Sequence, residues 1–324
     1  MFRTHGVATS QEEARLWRSK LVPASAAERL SCLYPVAHED GFAYLRKTRA
    51  EKPFGALTKL GLETCARLGR AARRAHGGDA VSARSTNYAR TIRSARAFLD
   101  GLGAPGAAIA VRRASRDALN GYDANPDRVK RAMRAAMRAD AFAAADAAVA
   151  AAKAAIVDAV PGATAESFGW LLAVDYLDTR RAHGLPTPPD YGEDLERAAR
   201  AHLHWRYDAW ARDPAVSALV ARPLVAELRA WAADDDAAAA DGAPALALHC
   251  AHDVTVLALC RALGAPPLAP GFGAKFDVVV EDGGVVARLD GAPLPGGFAA
   301  TPVAEAAFLE ALDAALARDG CPPS

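Results

Sequence analysis

Arg84, His252 and Asp253 supply a cation, an imidazole and a carboxylate, and each stands where a short apolar run passes through a polar junction into a helical pattern. The two runs are VSARSTNYARTIRSARAFLDGL at 81–102 and ALALHCAHDVTVLALCRALG at 245–264. A strand that ends just where a helix begins gathers free backbone N–H groups and the positive end of the helix dipole, the usual anion site of an open α/β sheet. Taken singly, Asp253 reads as a helix N-cap and His252 as a packed histidine, while Arg84 reads equally well as half of a surface ion pair or as an anion ligand. Together the three residues suggest phosphate chemistry.

The elements that must position them follow from periodicity and punctuation. Residues 8–53 show little period and read as loop with short helices. Thr58 is a candidate N-cap for a helix with Leu60, Leu68 and Ala72 on one face and Arg67, Arg70 and Arg74 elsewhere, ended by Gly77 and Gly78. A strand over Val81–Arg84, a cap over Ser85–Asn87 and a helix over Tyr88–Leu99 stopping at Gly101 come next, then a strand over Ala107–Arg112. From 115 to 240 alternation disappears, and alanine-rich helical stretches are broken only by PGATAES and LPTPPDYGED. Strand character returns over Ala245–Cys250, then as a hairpin over Phe276–Val280 and Val285–Leu289, before a last helix over Val303–Leu316. The expected architecture is an α/β core from 1–114 and 241–324, with 115–240 as an all-helical insert.

Composition narrows the partners. Thirty-nine basic residues stand against 38 acidic ones in 324, without the electrostatic footprint of a dedicated nucleic-acid binder. A small anionic substrate needs only local charge. Cys32, Cys65, Cys250, Cys260 and Cys321 show neither a C-x-x-C pair nor metal-ligand spacing, so reduced thiols are expected. The first twenty residues lack an apolar signal core and the longest apolar tract, around 140–160, is alanine interrupted by Asp146, Lys153 and Asp158. No membrane segment is expected, and an intracellular protein follows if Met1 is the true start.

Three weaker patterns carry no chemistry. Gly101, Gly103 and Gly106 make a G-x-G-x-x-G string, but it follows a helix and precedes a strand, the reverse of the dinucleotide order. His202 and His204 point to different faces of a helix and read as a solvated face rather than a metal site. The acidic run Asp234–Asp236 reads as a solvated loop.

The blocks around these residues resemble the histidine acid phosphatase family, the branch of the histidine phosphatases with a helical insert. ARSTNYARTIRSARAFLDGL is similar to the family's R-S-T-x-x-x-R-T-x-x-S-A-x-x-F-L-x-G-L block, and CAHDVTVLALCRALG to its A-H-D-x-T-x-x-x-L-x-x-x-L-G block. GALTKLGLETCARLG at 55–69 and LDTRRAHGLPTP at 177–188 resemble two further blocks, the second carrying H-x-L-P. The wording of LTKLG, RSTN and AHDVT is nearest the lysophosphatidic acid phosphatase type. The resemblance spans about residues 1–265 and implies a phosphoglycerate-mutase-like core: an open central sheet flanked by helices, with an inserted helical cap.

It also implies roles. The family's R-H-G-x-R-x-P motif is matched only by Arg3-Thr4-His5-Gly6-Val7-Ala8-Thr9-Ser10, with an extra Thr4, Ala8 where the second arginine belongs and Ser10 for proline. His5 is thereby expected as the nucleophile that forms a phosphohistidine, with Arg3, Arg84 and His252 as phosphate ligands and Asp253 as proton donor. The implied activity is hydrolysis of a small phosphomonoester at acidic pH, on lysophosphatidic acid or another ester, with no metal or organic cofactor. The altered N-terminal motif leaves a catalytically impaired phosphate- or phospholipid-binding relative as the alternative.

Overall fold

The computed structural model describes residues 11–39, 54–77, 81–166, 168–233, 246–266, 268, 270–281, 284–296, 298 and 301–317. It is a mixed α/β structure with a parallel sheet flanked by helices, as the chain's alternation of strand and helix patterns requires. The chain divides into two compact units: Met1–Val111, Arg138–Arg206 and Leu246–Cys250 make the first, and Arg112–Met137, Tyr207–Ala245 and Ala251–Ser324 the second. The helical stretch between the strands ending at Val111 and beginning at Leu246 is thus shared between them.

In the first unit, strands β1 (Val36–His38), β2 (Val81–Ser85), β3 (Ile109–Val111) and β4 (Leu246–Cys250) form a parallel sheet in the order β1-β3-β2-β4. Its core is one cluster that includes Ala83, Ile92, Phe98, Leu99, Leu102, Ile109 and Val111. Leu99, Leu102 and Ile109 are wholly buried, each contributing roughly 1.5–3 kcal/mol on burial. Helix α1 (Gln11–Lys20) and helix α2 (Ala24–Leu33) precede β1, and Tyr34 at the end of α2 joins this core.

Helix α3 (Lys59–His76) starts as its sequence predicts: Thr58 Oγ1 accepts the Gly61 N–H at 3.2 Å, and Gly77 ends it at φ +75°. The first strand junction differs from expectation. Helix α4 spans Ala89–Leu102 with Tyr88 in the cap position and no side-chain cap, so Ser85–Asn87 do not cap it. Gly103, in the left-handed conformation at φ +77°, ends it rather than Gly101. Gly101 has another task. A Cβ there would run into the Ala66 carbonyl of α3, and a Cβ at Gly69 into the Phe98 carbonyl of α4, so the two glycines let the helix backbones touch.

After helix α5 (Gly121–Ala124), helices α6 (Pro126–Ala136), α7 (Asp140–Ala148), α8 (Ala150–Ala159), α9 (Trp170–Ala182), α10 (Glu193–Arg212), α11 (Pro214–Val220) and α12 (Arg222–Ala232) complete the helical stretch. The histidine of the H-x-L-P block is a tie within the first unit. His183 Nδ1 lies 2.7 Å from the Thr179 carbonyl, its Nε2 3.0 Å from the same Thr58 hydroxyl that caps α3, and Trp17 meets its ring edge-on at 5.2 Å.

The second unit holds an antiparallel sheet, β5 (Phe276–Glu281), β6 (Gly284–Leu289) and β7 (Ala292–Pro293), with helix α13 (Asp253–Ala262) and helix α14 (Glu305–Ala317). The hairpin register runs from Phe276 opposite Leu289 to Glu281 opposite Gly284. Phe308, Leu312, Ala287 and Leu294 are wholly buried in its core. No helix among the described residues is long and apolar enough to cross a membrane.

Candidate active site

The first unit positions Arg84. It is the penultimate residue of β2, in register with Ala110 of β3 and His249 of β4, and is only 9% exposed. A guanidinium so placed keeps its charge out of water, which is tolerable only with polar or anionic company. The strand end is fixed by the next residues. Ser85 pairs with Cys250, and the Thr86 N–H donates to the Cys250 carbonyl at 3.1 Å. The Thr91 hydroxyl, in the first turn of α4, lies 2.9 Å from the Thr86 hydroxyl and donates to the Thr86 carbonyl at 3.0 Å. This bond does what the expected Ser85–Asn87 cap would have done: it closes the turn from strand to helix.

The second unit positions His252 and Asp253. His252 occupies the N-cap of α13 in extended conformation, at φ −124° and ψ 162°, and Asp253 is the first helical residue. Asp253 is therefore not the cap, although its Oδ1 accepts the adjacent Val254 N–H at 3.0 Å. A carboxylate in a first helical turn is favoured by the dipole. Thr255 locks the arrangement. Its Oγ1 accepts the His252 N–H at 3.4 Å and donates to the buried Leu119 carbonyl at 2.7 Å, while its own N–H donates to the His252 carbonyl at 3.0 Å.

Tyr122 is the residue of this neighbourhood that sequence reasoning missed. Its ring packs against Val129, Val216, Val220 and Ala258, the last on α13 with Asp253. Burial and the Asp253 charge push its phenol up to about 12, so it stays protonated throughout the working range. The available signal was positional: Asn120-Gly121-Tyr122 lies in the connection leaving the carboxyl end of a sheet strand, where ligands of α/β folds bind.

Arg3 and His5 lie outside the described residues, as does the Asp234–Asp236 run. Arg84 falls in the first unit and His252 with Asp253 in the second. Among the described residues no group of three or more His, Cys, Asp or Glu is placed to hold a metal ion. The described cysteines, Cys32, Cys65, Cys250 and Cys260, are free, and burial pushes the Cys250 and Cys260 thiols up to about 12.

The reading of His202 as part of a solvated face is corrected. His202 is 5% exposed, its Nε2 lies 2.8 Å from Asp146 Oδ1, and Arg206 donates to the same oxygen at 2.6 Å. Its ring lies between Trp170, with centroids 4.6 Å apart, and Trp205, stacked at 5.6 Å. Trp205 lies three residues on in the same helix, but Trp170 comes from α9, which local spacing does not reveal. Burial depresses its proton affinity more than the neighbouring Asp146 restores it.

No family model and no curated protein sequence matches the chain. Solved structures do. The phytase from Citrobacter braakii superposes with a TM-score of 0.57 at 18% identity, covering 82% of this chain and 90% of its own. A Klebsiella phytase gives 0.58 at 15% identity over 94% and 95%. The Hafnia alvei phytase in complex with myo-inositol hexakis sulphate gives 0.60 at 14% identity over 94% and 96%. Nearly the whole chain thus adopts the fold of these phytases, which are histidine acid phosphatases built of a core and a helical domain.

Proposed function

We propose that the chain is a phosphomonoester hydrolase of the histidine acid phosphatase type. The observation that carries this reading is Asp253, the first helical residue after the β4 strand end, in a chain with a phytase fold and an AHD block at that point. In the first step an imidazole nitrogen of His5 attacks phosphorus, the ester P–O bond breaks and Asp253 gives its proton to the leaving oxygen. In the second, water attacks phosphorus, Asp253 takes the water's proton and the P–N bond breaks, releasing phosphate. Arg84, His252 and Arg3 serve as ligands of the phosphoryl oxygens. An acid in this role works protonated, so turnover falls as pH rises.

For the leaving group, the wording of LTKLG, RSTN and AHDVT favours lysophosphatidic acid, with phytate, taken from the neighbours' name, as the comparison substrate. Phosphate release from an aryl phosphate, lysophosphatidic acid and phytate between acidic and neutral pH tests the reading. His5→Ala and His252→Ala are expected to abolish or cripple release from each accepted ester, Asp253→Asn to do so from lysophosphatidic acid and phytate and less from the aryl phosphate, and activity indifferent to all three rejects the reading.

A second reading is favoured by Thr4 and Ala8 in the N-terminal motif: a phosphate-binding relative without turnover. Loss of one preorganised cation costs on the order of a hundredfold in rate. This reading predicts saturable phosphate binding that Arg84→Ala removes, and brisk metal-independent hydrolysis excludes it.

A further inference from the structure

Tyr122 is held by three independent features of the second unit. The Leu119 carbonyl just before it accepts the Thr255 hydroxyl at 2.7 Å, tying its loop to the first turn of α13. Gly121 presses its backbone on α11: an added Cβ would lie 2.7 Å from Val220 Cα, so the residue beside Tyr122 cannot drift. The ring itself is seated in the Val129, Val216, Val220 and Ala258 cluster. Thr255 stands two residues after Asp253 in the first turn of α13, so its bond to Leu119 brings the loop of Tyr122 to the turn that carries Asp253, and the Asp253 charge disfavours ionisation of the phenol. Among the described residues nothing hydrogen-bonds the Tyr122 hydroxyl. Donors on rigid, half-buried side chains are seldom left unused.

We propose that Tyr122 is a specificity-determining residue on the leaving-group side of Asp253, its hydroxyl donating a hydrogen bond to an oxygen of the alcohol that departs. The substrate class it selects is phosphomonoesters whose alcohol carries a second acceptor oxygen close to the ester, such as polyol phosphates, over esters of plain alcohols of the same size. The inference rests on the phosphatase reading above. Its chemistry is that of a preformed donor: an ester lacking the acceptor leaves the hydroxyl dry and unpaired, which binding must pay for. Asp253 transfers the proton in either case, so Tyr122 sets the choice of alcohol rather than the bond-breaking step.

Glycerol 3-phosphate and propyl phosphate form the test pair, because they carry the same phosphate on chains that differ in hydroxyl groups. The full-length protein is expected to prefer glycerol 3-phosphate in kcat/KM, and Tyr122→Phe to reduce that preference on the order of tenfold while leaving propyl phosphate unchanged. Calorimetric binding of both esters to Asp253→Asn and to the Asp253→Asn, Tyr122→Phe double variant gives the same comparison without turnover. An active parent whose preference survives Tyr122→Phe overturns the role of Tyr122 alone. A parent that neither hydrolyses nor binds either ester overturns the phosphatase reading and this inference with it, and equal loss on both esters marks Tyr122 as merely structural.

Discussion

The two units hold their candidate residues by different means. In the first, Arg84 is set by sheet register, with a strand on each side and Thr86 bonded across to Cys250. In the second, Asp253 begins a helix whose first turn is tied down by a side-chain hydroxyl, Thr255 to the Leu119 carbonyl. Backbone ladders are redundant, so losing one contact leaves the others; a side-chain hydroxyl has no such repeat behind it. The contrast gives Arg84 a rigid setting and Asp253 an adjustable one.

The sharpest way to break that contrast is to change the chemistry of each part. Arg84→Ala is expected to lower kcat/KM on the order of 10²- to 10³-fold on every ester, because it removes charge stabilisation common to all. Asp253→Asn should do comparable damage on alkyl esters and far less on a p-nitrophenyl ester, whose leaving oxygen needs little proton help. Steady-state kinetics on both substrates decide it. Equal sensitivity of the two variants to leaving group removes the assigned division of labour.

Packing glycines give the next largest effects, now on stability. Gly69→Ala and Gly101→Ala drive a methyl into facing backbone carbonyls of α4 and α3, where no side chain can yield, and should each cost upwards of about 1–3 kcal/mol in chemical denaturation. Gly121→Ala in the second unit meets Val220 Cα at 2.7 Å and should cost less, with the α5–α11 contact loosening first. A Gly121 variant weaker than both others would show the second unit to be the more tightly closed.

Thr255→Val tests the hydroxyl tie itself. Valine keeps the shape but leaves the buried Leu119 carbonyl unpaired, a loss of about 1–3 kcal/mol. Activity should fall with it, since His252, Asp253 and Tyr122 all depend on that turn, whereas Thr91→Val should leave Arg84 held by its ladder. Retained activity in the Thr255 variant would mean that α13 is anchored by its packing alone.

What could be read from the chain follows from how local each determinant is. Helix α3 was legible because its cap, its apolar face and its terminal glycine lie within one continuous segment. The same holds for β2, β4 and the hairpin of β5 and β6, whose apolar runs are bounded by polar or glycine-rich turns. Strand β1, three residues long and only partly buried, carries no alternation to detect. Gly101 was misread as a stop since the partner that demands a glycine, Ala66, lies in another helix. Arg84, His252 and Asp253 stood out as polar residues ending apolar runs; Tyr122 did not, because what gives it meaning is a charge supplied by Asp253 from a distant stretch of chain.

Histidines separate the units by the smallest margin. His183, His202 and His204, all in the first unit, are depressed by burial, so each holds a proton less firmly folded than unfolded. The groups facing them are Lys20 and the Thr179 carbonyl for His183, Asp146 and Arg206 for His202, and Arg200 for His204. Asp146 opposes the shift at His202, and burial outweighs it. Below the ordinary imidazole value of 6.5 the unfolded chain binds more protons than the folded one, so stability present above that pH is lost as pH falls through it toward the depressed values. Among the described residues of the second unit the buried shifted groups, Tyr122 and Cys260, are both pushed up to about 12 and stay neutral across the same range. Amide hydrogen exchange at neutral and mildly acidic pH, corrected for intrinsic rates, should therefore show α9 and the first-unit part of α10 opening more readily in acid than β5 and β6. Uniform loss across both units, or protection of α9 that rises in acid, would deny the histidines this role and leave the two units alike in their response to protons.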